Sequence, residues 1–180
     1  RVRRTGSTYR LSPSGDSARD DELIAVERVR FADATLELQA DPPTASPALA
    51  RDDGFLFDAV FYRLAHLGQV PGDSTGARQH YLATGAAQGW APAPWFDATY
   101  YGNRWPDLRA LSLDAATLFR HFNLYGVWEG RSPGPAFDRF DGTRYLRDNP
   151  DVAAYVDSHL ADFLGSRDNG AIAHFLIFGA

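Results

Sequence analysis

Most of this chain repeats itself, and a sequence that repeats at near-regular spacing folds as neighbouring copies of one structural unit. The first repeated block places Phe-Asp ahead of a tyrosine. It occurs three times, with starts 39 and 44 residues apart, as Phe57-Asp58-Ala59-Val60-Phe61-Tyr62, Phe96-Asp97-Ala98-Thr99-Tyr100-Tyr101 and Phe140-Asp141-Gly142-Thr143-Arg144-Tyr145. A unit of about 40 residues cannot bury its apolar face alone, so we expect the three copies to stack around one continuous core.

Two further blocks follow the first in the same order. The second begins with histidine and ends with glycine five residues later, as His80-Tyr81-Leu82-Ala83-Thr84-Gly85, His121-Phe122-Asn123-Leu124-Tyr125-Gly126 and His174-Phe175-Leu176-Ile177-Phe178-Gly179. The third lies between them in two copies only, as Trp105-Pro106-Asp107-Leu108 and Asn149-Pro150-Asp151-Val152. The first copy has Gly68-Gln69-Val70-Pro71-Gly72-Asp73 instead, which is typical of an end repeat.

Each block predicts a helix boundary. An aspartate ahead of a helical run accepts hydrogen bonds from backbone N–H groups, so we expect N-caps at Asp58, Asp97 and Asp141. Asn149 suits the N-cap of a helix that begins with Pro150. The closing glycines suit the left-handed position after a helix, and they are Gly85, Gly126 and Gly179. We expect helices near 58–67, 75–84, 97–103, 113–125, 141–148, 150–163 and 170–178.

The residues ahead of the repeats have a different pattern. Residues 1 to 40 carry short β-branched and apolar alternations, including Val26, Val29 and Phe31, which favour a small hairpin or meander. Residues 41 to 54 contain three prolines and predict a linker. The expected fold is therefore α+β and mainly α: a short N-terminal β segment, then three stacked helical repeats over 55–93, 94–135 and 136–180.

Composition excludes several classes of site. The chain has no cysteine, so it has no disulfide and no thiolate zinc site. Its net charge of −5 and short basic start favour no nucleic acid as partner. No apolar run is long enough for a membrane span. The polar, basic start also predicts no cleavable signal peptide.

The recurring histidines are candidates for metal binding or pH sensing, and they are His80, His121 and His174. Each repeat supplies only one of them, whereas a metal site needs several converging ligands. We therefore expect structural histidines that pack or hydrogen-bond near a helix start. His66 and His159 have no counterparts in the repeated blocks, and we expect no specific role for them.

Acidic residues offer one candidate metal site and no convincing catalytic one. Asp20, Asp21 and Glu22 form the densest acidic run and could hold Ca²⁺, although a solvated turn is the favoured interpretation. No serine stands in a nucleophile elbow, and no glycine-rich phosphate loop follows a strand. We expect no catalytic residues, no enzyme activity, and no cofactor in this chain apart from that candidate Ca²⁺.

The tryptophans are the best candidates for an interaction surface. They lie at repeat edges near glycine and proline, and they are Trp90, Trp95, Trp105 and Trp128. Partly exposed tryptophan often anchors contacts with protein or sugar. Burial between repeats is the competing interpretation.

The order Phe-Asp-x-x-x-Tyr, Asn-Pro-Asp-Val and His-Phe/Tyr-x-x-x-Gly-x-x-Glu-Gly-Arg-x-Pro resembles repeats at the C-terminal ends of large extracellular proteobacterial proteins, often beside RTX-type calcium-binding sequences. Glu129-Gly130-Arg131 carries its last element, which repeat 1 replaces with Gln88-Gly89-Trp90. Residues 21–36 are similar to the segment that closes a β module in the same secreted proteins. The glycine- and aspartate-rich calcium nonapeptide of that family does not occur in this chain.

The resemblance implies an extracellular or cell-surface location and export by a type I secretion apparatus, whose uncleaved signal lies at the C-terminus. We therefore expect a non-enzymatic module serving surface assembly, adhesion or self-association, with another copy or a cell-surface protein or glycan as partner. The alternative is an export and folding tail of a secreted hydrolase or protease whose catalytic domain lies upstream.

Overall fold

The structure is a computed structural model, which describes residues 54–70 and 72–179 with their side chains and, nearer the start, the backbone of five strands. β1 (Val2–Thr5), β2 (Thr8–Leu11) and β3 (Asp21–Ile24) form an antiparallel sheet in that order, and β4 (Arg28–Arg30) pairs antiparallel with β5 (Thr35–Glu37). The hairpin or meander over residues 1–40 stays a prediction. The linker, apart from Gly54, and Asp20 lie outside the described residues, as do the side chains of Asp21 and Glu22.

The chain divides into two compact units, and the first contains residues 57–94, which is nearly all of repeat 1. Its helices are α1 (Ala59–Ala65) and α2 (Ser74–His80), and α2 runs directly into a π-helical turn, Tyr81–Gly85. Asp73 caps α2 by accepting the Gly76 N–H at 2.7 Å. This aspartate belongs to the six residues that replace the third block in repeat 1.

The second unit contains residues 95–179, which is repeats 2 and 3, and also Leu56 and the residues just before it. Its elements are α3 (Ala98–Arg104), α4 (Pro106–Leu111), α5 (Ala115–His121) with a π-helical turn (Phe122–Gly126), a 3₁₀ turn (Pro135–Arg139), α6 (Gly142–Asp148), α7 (Pro150–Ser158), a 3₁₀ turn (Leu160–Phe163), and α8 (Arg167–His174) with a π-helical turn (Phe175–Gly179). The prediction of a mainly helical fold is confirmed. Helix α4 and the first 3₁₀ turn were not predicted.

The three predicted aspartate caps are confirmed. Each carboxylate accepts the backbone N–H three residues ahead, at 2.8 to 2.9 Å, from Phe61, Tyr100 and Arg144 in turn. Each cap satisfies a donor that the first turn of a helix leaves open. The Phe-Asp block therefore sets the start of the same helix in every repeat.

Asn149 takes the predicted N-cap position, but its side chain does not cap the helix. Asn149 stands at the N-cap position of α7, and Pro150 is the first helical residue as expected, but the asparagine side chain makes no capping hydrogen bond there. Its amide instead donates to the Tyr145 carbonyl at 2.8 Å. Asn149 therefore satisfies a carbonyl near the end of α6.

The phenylalanine of each Phe-Asp block has the same surroundings in all three repeats. It contacts the block's own tyrosine and the first aromatic residue of the π-helical turn, with ring centroids 5.3 to 5.7 Å apart. These contacts are Phe57–Tyr62, Phe57–Tyr81, Phe96–Tyr101, Phe96–Phe122, Phe140–Tyr145 and Phe140–Phe175. The repeats are thus one structural unit built three times.

Repeats 2 and 3 share a core within the second unit. Trp128 of repeat 2 stacks on Phe163 of repeat 3 at 6.3 Å and on Phe55 at 6.0 Å. Buried Asn123 accepts the Leu56 N–H at 2.9 Å, so residues 55 and 56 pack in this unit. Stacking of repeat 1 against repeat 2 stays a prediction.

Candidate interaction site

A tyrosine and a histidine are paired at the centre of every repeat. The Tyr Oη and His Nδ1 atoms lie 3.0 Å apart in Tyr62–His80, Tyr101–His121 and Tyr145–His174. We predicted structural histidines near helix starts. They do hydrogen-bond, but they lie in the last turns of α2, α5 and α8, because the aromatic residue that follows each one opens the π-helical turn.

Burial disfavours the charged forms of all three tyrosines and of two of the histidines. It raises the pKa of Tyr62 to about 12 and also raises the pKa of Tyr101 and Tyr145. It lowers the pKa of His121 and His174, since the imidazolium form is disfavoured away from water. In repeats 2 and 3 a neutral hydroxyl therefore lies beside a neutral imidazole, and the hydrogen bond between them occupies Nδ1 of the ring.

The expected role of the closing glycines Gly85, Gly126 and Gly179 is wrong. None of them has a positive φ, and each ends a π-helical turn. In the first two repeats a Cβ atom at this position would collide with the hydroxyl of the paired tyrosine. Glycine is required there to make room for that hydroxyl. The left-handed positions lie four residues on, at Gly89 (φ +74°) and Gly130 (φ +65°).

A short tail closes each of the first two repeats over its tyrosine. We define the tails as residues 86–92 and 127–133. Their backbones make matching hydrogen bonds: Trp90 N–H to Gly85 at 2.9 Å, Arg131 N–H to Gly126 at 2.8 Å, and the carbonyls of Pro92 and Pro133 from Asp58 and Asp97, both at 3.0 Å. The tail therefore returns to the start of its own repeat.

Two half-buried rings stack on each other in repeat 1. Trp90, the residue after the left-handed glycine, lies parallel to His66 with centroids 3.5 Å apart and 6° between the planes. Burial, helped by the charge of His80, lowers the pKa of His66. We expected no specific role for His66. His66 follows Tyr62 by four residues, just as Trp105 follows Tyr101 by four residues. Aligning the repeats on their tyrosines could therefore have identified His66 as the counterpart of Trp105.

Repeat 2 exchanges the two partners of that stack. The tryptophan, Trp105, directly follows its first helix, and its tail supplies the cation, Arg131, whose guanidinium lies 5.1 Å from the ring centroid. Arg104 lies over the same ring at 5.4 Å. A cation near an aromatic face is attracted by the ring's quadrupole. Tail and first helix thus meet through a face-on ring contact in both repeats.

Two carboxylates fix Arg131. Asp107 accepts two hydrogen bonds from it at 3.0 and 2.9 Å, and Glu129 accepts one at 2.5 Å. Burial opposes the charge on Arg131, but hydrogen bonds to Asp107 and Glu129 raise its pKa. Slight desolvation would raise the pKa of Asp107, and the hydrogen bond and charge of Arg131 lower it instead. The guanidinium is held in one position beneath the ring.

Trp105 combines partial exposure with an unsatisfied donor. Its indole Nε1 is buried and has no hydrogen-bond partner among the described residues, and the residue as a whole is half-buried. It lines a cleft of about 520 Å³ in the second unit, together with Arg104, Ser132, Phe137, Asp138 and Asp168. A ring face and charged groups at one cleft are features of a recognition site.

The other tryptophans differ in exposure. Trp90 and Trp95 are half-buried, so they remain candidates together with Trp105. Trp128 follows the competing interpretation, burial between repeats, since only 3% of it is accessible. Its Nε1 donates to the Asn123 carbonyl at 3.1 Å, because the side chain fills the junction between repeats 2 and 3.

Neither a metal site nor a membrane helix is present in the part of the chain described with side chains. There, no three His, Asp or Glu side chains are grouped as metal ligands. Candidate Ca²⁺ ligands at Asp20, Asp21 and Glu22 stay a prediction. No helix among the described residues combines the length and apolar character needed to cross a bilayer.

Comparison with known proteins gives no family and no relative. No family description, curated protein or solved structure matches the chain.

Proposed function

We propose that this chain is a non-enzymatic repeat module of a secreted extracellular protein and that it serves surface assembly, adhesion or self-association. The partner is another copy or a cell-surface protein or glycan. The module is exported by a type I secretion apparatus, as the sequence resemblance implies.

The observation that carries the proposal is Trp105, a half-buried ring that two arginines hold at the edge of a cleft. Holding the ring in advance lowers the entropy lost on binding. The recurring polar residues support a non-enzymatic module. In each repeat the aspartate caps a helix, and the tyrosine and the histidine hydrogen-bond to each other. The ring of Trp105 and the charged side chains beside it at the cleft are suited to binding a partner.

The test is sedimentation velocity of the full chain over a range of concentrations, together with attachment to a cell surface. We expect Trp105→Ala to abolish concentration-dependent association or attachment. Trp105→Phe keeps a smaller aromatic ring, so an intermediate loss is expected. Leu111→Ala is the matched control, since Leu111 is an apolar side chain with 63% exposure.

Circular dichroism of each variant separates lost binding from lost folding. A chain that stays monomeric and unattached at every concentration contradicts the proposal. So does a folded Trp105→Ala variant that behaves like the parent chain.

A further inference from the structure

Repeats 1 and 2 hold their tails by the same kind of ring contact, but the two contacts differ in charge. In repeat 2 the contact joins Trp105 to Arg131, which carries a permanent positive charge. In repeat 1 it joins Trp90 to His66, whose imidazole is neutral or charged according to pH. The contact in repeat 1 is therefore the one that a change of pH can alter.

The carboxylates that hold Arg131 have no acidic counterpart in repeat 1. In repeat 2 they are Asp107 and Glu129, and both hydrogen-bond to the guanidinium. Gly68 stands at the position of Asp107, six residues after the tyrosine of its repeat. Gln88 stands at the position of Glu129, three residues after the glycine that ends the π-helical turn. Repeat 2 thus has both the positive charge and its two acids, whereas repeat 1 has neither.

No carboxylate among the described residues of repeat 1 balances a charge on His66. The two that it has, Asp58 and Asp73, cap the starts of α1 and α2. The tail contains no charged residue. The titratable and charged groups on α1 and α2 are Tyr62, Arg63, Arg78 and His80. Of these, His80 is the one whose charge acts on His66, and it opposes protonation.

Protonation of His66 has two opposing effects on the stack. An imidazolium is attracted by the face of the indole. It also loses hydration when the stack covers it, and repeat 1 has no acid to offset that loss. Burial, followed by the charge of His80, lowers the pKa of His66, so the loss of hydration is the larger effect. The stack is therefore weaker with His66 protonated than with His66 neutral.

We propose that protonation of His66 at mildly acidic pH releases the tail of repeat 1, whereas the tail of repeat 2 stays closed. Release uncovers Tyr62, which is fully buried while the tail is closed and lies 5.9 Å from Trp90 between ring centroids. Repeat 1 then exposes an aromatic surface that repeat 2 keeps covered. This goes beyond the proposed function, because it depends neither on the cleft in the second unit nor on secretion.

Hydrogen exchange of the full chain, followed by NMR at single amides, tests the proposal with an internal control. The N–H groups of Trp90 and Asp58 hold the tail of repeat 1, and those of Arg131 and Asp97 make the matching bonds in repeat 2. Protection of these amides reports local opening of each tail. From about pH 7.5 to about pH 5.5 we expect the first pair to lose up to about tenfold in protection relative to the second, because a free imidazole with a pKa of about 6.5 becomes protonated over this range.

Two variants assign the effect to His66. His66→Phe keeps a ring on Trp90 but cannot titrate, so the ratio of protection between the two repeats should no longer depend on pH. Gln88→Glu restores the acid of repeat 2 at an exposed position, so the loss of protection should move to lower pH. This second variant keeps the side chains of the stack and changes only the charge beside it.

Equal protection changes in both repeats overturn the inference, because the chain then opens as a whole or not at all. A ratio that still depends on pH in folded His66→Phe also overturns it, since another group is then responsible. So does a Gln88→Glu variant that loses protection at the same pH as the parent chain.

Discussion

Gly126→Ala tests whether glycine is required by the tyrosine hydroxyl. A Cβ atom at this position would overlap Tyr101 Oη and lie 2.9 Å from Phe122 Cδ2 and 3.1 Å from Tyr101 Cζ. Tyr101 is fully buried, so it cannot swing into solvent. The tyrosine must shift, and its hydrogen bond to His121 is lost with it.

The energies predict a clear loss of stability. Alanine is favoured over glycine in a helix by about 1 kcal/mol. Overpacking a full core costs about 2 to 3 kcal/mol, and the lost hydrogen bond costs about 1 kcal/mol. The net destabilisation is about 2 to 3 kcal/mol. For a chain of this length, each 1 kcal/mol lowers Tm by about 2 to 4 °C.

Gly179→Ala is the matched control, because its Cβ would meet Phe175 Cδ2 at 3.2 Å and Tyr145 Oη at 3.6 Å. Thermal unfolding followed by circular dichroism should show a Tm lowered by about 5 to 10 °C for Gly126→Ala and nearly unchanged for Gly179→Ala. Tyr101→Phe in the same chain should recover part of the loss. Equal Tm values for the two glycine variants would refute the reasoning.

Three other perturbations have defined outcomes. Asp97→Ala removes the cap of α3 and should lower stability by about 1 kcal/mol in urea unfolding, while Asp97→Asn keeps most of it. Trp128→Ala should cost about 3 to 5 kcal/mol, because the ring is buried at a repeat junction; an unaffected midpoint would contradict its burial. Stability should fall as pH drops below about 6.5, because the unfolded chain protonates its histidines there, whereas His66, His121 and His174 have lowered pKa values when folded. A flat profile between pH 7 and pH 5 would exclude that linkage.

The helix starts could be predicted from the sequence because they depend on local chemistry. An aspartate three residues ahead of a free N–H caps it whatever surrounds the helix, and this holds for Asp58, Asp97 and Asp141. Pro150 likewise begins α7, since its fixed φ suits the first helical position.

Features that depend on distant residues could not be predicted in the same way. The glycine at Gly126 is explained by Tyr101, 25 residues earlier, and nothing in the local sequence distinguishes this from a left-handed cap. The burial of Trp128 depends on Phe55 and Phe163, which are far along the chain in both directions. Comparing the repeats position by position would have identified His66 and Trp90 as partners, because Trp105 and Arg131 occupy the equivalent positions.

A crystal structure that shows the side chains of the three tyrosine–histidine pairs tests most directly whether the repeats are one structural unit. We expect Tyr Oη and His Nδ1 within hydrogen-bonding distance in Tyr62–His80, Tyr101–His121 and Tyr145–His174, with the glycine of each π-helical turn beside the hydroxyl. If any one of these tyrosines points away from its histidine into solvent, the repeats do not share that unit.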